Sequence, residues 1–164
     1  MGLSTLPASV TTTAQSRSKR PRIRAAERAD LLAVYRIEQD VFPQPWPFSA
    51  FEQYLGEPGF LVAEDEAVVG YVVADTIHNH GQRMGHIKDL AVHEAHRREG
   101  IATTLLTQAI SVLEGQGVRA VKLEVRETND SAIDLYQSEG FVHRKTVPNY
   151  YNDGENAHVL VREL

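Results

Sequence analysis

Cysteine is missing from the 164 residues, which excludes disulfides, thiolate zinc sites and a cysteine nucleophile together. If an acyl group is transferred, no enzyme thioester carries it. Also missing is any apolar run of the roughly 18 residues that a bilayer span requires, so a soluble, cytoplasmic protein without a membrane partner is expected. Positive charge is in deficit, with 17 Lys and Arg against 22 Asp and Glu and a net charge of −5. No stable nucleic-acid binding is expected of such a chain. Acidic residues are in turn absent from residues 1–20, which are rich in Ser and Thr and close on Arg17, Lys19 and Arg20. This stretch reads as a disordered tail that could touch an acidic partner such as ribosomal RNA. An organellar transit peptide shares its bias, but the arginines cluster at the end and amphipathicity is weak; a secretory signal would need a continuous apolar segment.

What remains, residues 21–164, is expected to fold as one domain: 42% hydrophobic and 24% charged residues suffice for a real core, and a second domain has no room. A short strand near Ile23 leads to a helix from about Asp30, with Leu31, Val34, Ile37 and Val41 at helical spacing. Prolines 43, 45 and 47 break the chain, and Ser49 is placed to cap a second short helix through Leu55. Phe60 to Ala63 and Val68 to Ala74 read as an antiparallel hairpin, and His78 to Gly85 as a polar loop. Then follow a strand from Ile87 to Val92, a helix from Ile101 to Leu113 ended by Gly115 and Gly117, and a strand from Val121 to Val125. A helix from Ser131 to Glu139 stops at Gly140, and strands Phe141 to Val147 and His158 to Val161 close the chain. The order β-α-α-β-β-β-α-β-α-β-β implies an α/β fold with a mixed central sheet and helices on both faces. Parallel strands near residues 87 and 121, joined by a right-handed helical crossover, would border a ligand crevice.

The junction Arg97-Arg98-Glu99-Gly100-Ile101-Ala102 joins a strand directly to a helix. Backbone N–H groups without intrahelical partners and the helix macrodipole favour an anion there. Gly100 and Ala102 keep bulk away from that backbone, and two arginines add attraction for phosphate. Neither Gly-Lys-Ser/Thr nor a three-glycine fingerprint is present, so a nucleoside triphosphate or a nicotinamide dinucleotide is a poor guest. A second stretch runs Leu123-Glu124-Val125-Arg126-Glu127-Thr128-Asn129, then Ala132 to Tyr136 and Gly140-Phe141. Period two places Lys122 and Glu124 on the sheet face opposite Val121, Leu123 and Val125.

The first motif resembles the acetyl-CoA pyrophosphate loop of the GNAT acetyltransferase superfamily. The second is similar to the later half of its RimI-type N-terminal acetyltransferases, which act on a ribosomal protein's N-terminal alanine. The resemblance covers about Ile23 to Leu164 and implies a GNAT-like fold with acetyl-CoA as co-substrate. It implies a general base at Glu124, a general acid at Tyr136, and pantetheine contacts from the backbone of Leu90, Ala91 and Val92. The pyrophosphate would lie on Arg97, Arg98, Glu99, Gly100, Ile101, Ala102 and Thr103, with a further CoA contact at Asn129. Ala102 stands where a second glycine is more usual, and Arg97 where glutamine is frequent.

The chemistry is coherent with these roles. An α-amine has a pKa of about 7.7–8.0, so a modest base, direct or through water, frees its lone pair near neutrality. A backbone N–H at the end of the Leu90 to Val92 strand can stabilise charge on the carbonyl oxygen. The departing thiolate needs a proton, which a poised tyrosine can supply. On the acceptor side, Glu38 puts a carboxylate on an apolar helical stripe, where it lines a peptide groove with Phe42, Pro43 and Trp46 or pairs with an arginine. Tyr150 and Tyr151 resemble a family hairpin that narrows the groove over a peptide N-terminus. The expected activity is direct transfer from acetyl-CoA to a protein α-amine, possible substrates including a ribosomal protein beginning with Ala or Ser. A small-molecule amine, a lysine side chain or a non-catalytic acyl-CoA-binding module are the alternatives. A monomer is expected. No metal is expected: His93 and His96 lack supporting carboxylate spacing.

Overall fold

The computed structural model describes residues 21–164; the tail expected at 1–20 lies outside the described residues. The described chain runs β1 (Arg22–Ala25), α1 (Leu31–Val41), α2 (Phe48–Gln53), β2 (Gly59–Asp65), β3 (Ala67–Asn79), β4 (Gln82–Val92), α3 (Ile101–Gly115), β5 (Ala120–Arg126), α4 (Asp130–Ser138), β6 (Val142–Val147) and β7 (Ala157–Glu163). The expected order of elements is the observed one. One seven-stranded sheet has the order β1-β2-β3-β4-β5-β7-β6. It is mostly antiparallel, and β4 with β5 is its parallel pair.

Each sheet face buries its own core. Leu31, Val34 and Ile37 of α1 and Phe51 of α2 pack on Phe60, Val62, Tyr71, Val73 and Ala91. On the other face Leu105, Leu106, Ala109 and Leu113 of α3, with Tyr136 of α4, pack on Val72, Ile87, Val121, Leu123 and Val125. Period-two alternation divides β5 as expected, with Val121, Leu123 and Val125 buried and Lys122 and Glu124 on the α1 side. Arg24 ties β1 to the start of α1 and to β2. Its guanidinium donates to both Asp30 oxygens at 2.8 and 2.9 Å and to Glu64 at 3.2 Å.

Two local expectations are corrected. Residues 78–85 are not a polar loop: β3 and β4 continue to Asn79 and from Gln82, leaving the two-residue turn His80-Gly81 with φ of 52° and 79°. Positive φ at both positions suits a tight hairpin, whose twist matches that of the strands. The polar side chains mislead because the distal part of this hairpin is largely solvent-facing. Ser49 is not a cap either, since α2 begins at Phe48 with extended Pro47 at its N-cap and no side-chain capping bond.

Two irregularities position the site. β4 and β5 pair only at Gly85 with Val121 and His86 with Lys122, and then diverge. Gly85 permits the close approach of β5 and of α3, because a Cβ there would stand 3.1 Å from Val121 Cγ2 and 2.8 Å from Leu113 Cδ1. Between Ile87 and Asp89 the register with β3 slips, making Lys88 the bulge residue. The bulge resets the pleat. His86, Lys88, Asp89 and Ala91 therefore contact the α1 side of the sheet, whereas Ile87, Leu90 and Val92 join the α3 core.

Candidate active site

Where β4 leaves β5, a cavity of about 440 Å³ opens. Its walls include Glu124, Tyr136, Leu90 and Asn129 from the expected catalytic and donor sets, and Glu38, Phe42, Trp46, Tyr150 and Tyr151 from the acceptor set. Residues scattered over the sequence thus line one space. Ala91 and Val92 have buried side chains, 5% and 7% exposed, so only their backbone is available to a ligand. Beyond His86 the β4 edge facing β5 has no ladder partner there. An extended, amide-bearing chain can dock on such an edge.

Arg97 to Thr103 stand apart from this cavity, at the start of α3. Gly100 is the N-cap with φ 81°, and Arg98 two residues earlier has φ 68°. Left-handed residues alternating here curl the backbone into a concavity whose N–H groups, with those of the first turn, favour an anion. Arg97 instead donates to the Val92 carbonyl at 3.4 Å and borders a separate cavity of about 270 Å³ with His93 and Asp40. Asn129 has a structural duty as well: it is the N-cap of α4, and its Oδ1 accepts from the Ala132 N–H at 3.2 Å.

Glu124 is held on both sides. Its Oε1 lies 2.7 Å from His86 Nε2, and its Oε2 lies 2.9 Å from Lys122 Nζ. Lys88 Nζ approaches His86 Nδ1 at 3.3 Å. An ammonium has only donors, so His86 Nδ1 accepts from Lys88 and its Nε2–H donates to Glu124. Lys88 also lies 3.6 Å from Asp75 Oδ1. Burial alone would push the Glu124 carboxyl up, but His86 and Lys122 outweigh it and hold it at about 2. Glu124 is thus a fixed anion near neutral pH.

Tyr136 is 8% exposed and packs edge-on against Phe141, with ring centres 5.8 Å apart. Its hydroxyl hydrogen-bonds to no described residue and borders the cavity. Burial, then Asp89 and Tyr151, push its pKa well up, so it stays protonated. Across the cavity Glu38, only 2% exposed, accepts from the Tyr71 hydroxyl and, at 2.9 Å, from the Trp46 N–H. The hairpin residues are fixed through Arg126. Its guanidinium lies 4.1 Å from the Tyr151 ring centre and donates to Asp153 at 2.8 Å and Glu155 at 2.7 Å.

His86, Lys88, Asp89, Tyr71 and Arg126 belong to this site and were not picked out from the sequence. The first three sit on a strand whose usual alternation would not bring Lys88 and Asp89 to the same face. Arg126 did lie within the quoted motif, but its partners are 27 and 29 residues away. His93 and His96 do not form a ligand set: His93 Nδ1 accepts from the Ala95 N–H, and His96 lies 3.4 Å from Glu99. Among the described residues no group of three or more His, Asp or Glu side chains could hold a metal ion.

The acetyltransferase (GNAT) family profile matches residues 31–141, more than half of the chain. The chain belongs to this family. This GNAT protein is an acetyltransferase, and its relatives narrow the kind. An N-alpha-acetyltransferase of Saccharolobus solfataricus is 34% identical over 154 residues, covering 87% of this chain and 92% of that one. The ribosomal protein bS18-alanine N-acetyltransferase of Escherichia coli is 30% identical over 143 residues, covering 85% and 94%. Among solved structures, the NatC complex bound to Gag peptide and CoA contains a chain that superposes with a TM-score of 0.81. It is 20% identical and covers 88% of this chain and 99% of that one, a likeness of fold.

Proposed function

We propose that residues 21–164 form a domain that transfers the acetyl group of acetyl-CoA directly to the N-terminal α-amine of a protein. The observation that carries this reading is the convergence of an unpaired β4 edge, the Glu124–His86 pair and the Tyr136 hydroxyl on one cavity. Its opposite wall is Glu38, Phe42, Trp46, Tyr150 and Tyr151. Both curated relatives act on α-amines by name, and the superposed complex holds CoA and a peptide. The concave start of α3, with Arg98 and Gly100, takes the pyrophosphate. The backbone of Leu90, Ala91 and Val92 takes the pantetheine amides as an added strand would.

Glu124 acts as the base in a particular sense. With its pKa at about 2 it does not carry off the proton of a free ammonium. Near neutrality part of the α-amine population is already uncharged, and attack on the carbonyl makes the remaining N–H acidic. Glu124, kept ionised by His86 and Lys122, accepts that proton directly or through a water. Tyr136 stays protonated and donates to the leaving sulfur. Tyr150 and Tyr151 narrow the entrance, which favours a chain terminus over an internal lysine. The ribosomal-protein reading and the broader N-alpha-acetyltransferase reading differ in acceptor.

The test follows free-thiol release from acetyl-CoA against short peptides beginning with Ala, Ser or Met, the same peptides blocked, and a peptide with an internal lysine. Turnover on free termini that disappears on blocking supports the proposal. Turnover only on lysine or small amines overturns it.

A further inference from the structure

Asp89, on the bulged part of β4, lies at the meeting point of the donor edge and the acceptor wall. Its Oδ1 accepts from the Leu90 N–H at 3.0 Å, and its Oδ2 lies 3.3 Å from the Tyr71 hydroxyl oxygen. That hydroxyl has a single hydrogen, which it gives to Glu38 in the closer contact. One hydroxyl hydrogen cannot serve two carboxylates, so the Asp89–Glu38 pair holds a proton between them; with Tyr71 donating to Glu38 in the closer contact, that proton belongs on Asp89, which then donates to the tyrosine oxygen. The chain of donors then runs from Asp89 through Tyr71 to Glu38.

The groups facing this pair are few. α1 contributes Glu38 itself, β3 contributes Tyr71, α4 contributes Tyr136, and the α1–α2 segment contributes the Trp46 N–H. Lys88, next on the strand, is engaged with His86 and Asp75, and Glu124 on β5 is held by His86 and Lys122. Among the described residues no Lys, Arg or His forms an ion pair with Glu38 or Asp89. Tyr136, 8% exposed and with no hydrogen bond from its hydroxyl among the described residues, lines the same cavity. Carboxylates so enclosed call for a cation with hydrogens to give.

We propose that Asp89 and Glu38, bridged by Tyr71, form the cation-binding end of the acceptor groove. The acceptor enters as an ammonium ion, and the proton on Asp89 leaves as it does. The charge balances: one ammonium enters, one proton departs, and the groove keeps one net negative charge; before attack the bound ammonium returns one proton to Asp89, which leaves the uncharged amine that the reaction needs. Burial and the neighbouring Glu38 carboxylate raise the Asp89 pKa well above the usual carboxylate range, as a proton held in the free protein requires. This role rests on the α-amine reading above and adds its recognition element.

The experiment uses the full chain saturated with CoA, which lacks the acetyl group, and a peptide that the wild type acetylates. Calorimetric titration at slightly acidic pH in two buffers of different ionisation enthalpy counts protons. The wild type is expected to release about one proton per peptide bound, and an N-terminally blocked peptide none. Asp89→Asn retains an acceptor for the Leu90 N–H and a donor for Tyr71, so it imitates the protonated acid. It is expected to bind the free-amine peptide about tenfold more weakly and to release no proton. Peptide binding by the wild type without proton release, or an Asp89→Asn variant that releases the same proton, overturns the inference and leaves the α-amine reading standing. If the wild type acetylates no free-amine peptide while binding acetyl-CoA, the α-amine reading falls and takes this role with it.

Discussion

Glu124 and Asp89 are two carboxylates in one cavity whose surroundings push them in opposite directions. His86 and Lys122 surround Glu124 with donors, whereas Asp89 faces Glu38 and a tyrosine. Glu124→Gln preserves the shape of the site and removes the anion. Turnover should fall by about 100-fold or more, while CoA affinity, measured by calorimetry, changes by less than about threefold. Unchanged turnover would remove Glu124 from the mechanism. That Glu124 and Tyr136 border one cavity was foreshadowed in the sequence, because their motif is contiguous and resembles a family pattern. Asp89 was not, because its role depends on a slipped register at Lys88, and nothing local in Ile87-Lys88-Asp89 announces a bulge; His86 was not, because its partner Glu124 lies 38 residues away on another strand.

At the scale of elements, β7 is laddered to β5 along its whole length, and Arg126 fastens the tip of the β6–β7 hairpin while also reaching Gln44 of the α1–α2 segment at 3.3 Å. Arg126→Ala removes two ion pairs and a cation–π contact and so loosens the hairpin tip. Peptide KM should rise several-fold with CoA binding unchanged; an unchanged KM would mean that the hairpin does not shape the acceptor groove. Glycines give a paired test of packing. A Cβ on Gly59 in β2 would stand 2.2 Å from the Ala74 carbonyl oxygen, whereas one on Gly115 at the end of α3 meets nothing within 4 Å. Gly59→Ala should cost about 3 kcal/mol in a denaturant titration, and Gly115→Ala should stabilise by about 0.5–1 kcal/mol. Strong apolar periodicity made the α1 and α3 helices legible. The length of the β3–β4 hairpin was hidden because its outer half is polar and its turn is His-Gly rather than the commoner Asn-Gly.

For the molecule as a whole, ionised carboxylates set the acid limit. Asp30 is held down by Arg24, and Glu124 is held at about 2 by His86 and Lys122. Groups whose folded pKa lies below the unfolded value of about 4.5 stabilise fully above that pH. They lose this contribution as pH falls toward about 2. The midpoint of thermal unfolding, followed by circular dichroism, should therefore drop steeply over that window. Asp89 works with the opposite sign, because the folded state holds its proton more tightly than the unfolded chain does. Acidification from neutrality should first raise stability slightly, and Asp89→Asn should abolish that rise. The α/β architecture, both helical faces and the parallel pair were all legible from element order, because each face needed a separate apolar partner.

The brief contact between β4 and β5 has a mechanical meaning. The β1–β4 part of the sheet and the β5–β7 part are riveted at two backbone residue pairs, by the His86–Glu124 and Arg126–Gln44 contacts and by α3, while their backbones part beyond His86 like a partly fastened seam. A donor lying in the seam would bridge both sides. Amide hydrogens of residues 88–92 and 123–126 should then exchange with solvent more slowly when CoA is bound, although these stretches belong to different strands. Slowing confined to the start of α3 would mean that the ligand grips one half and leaves the seam undone.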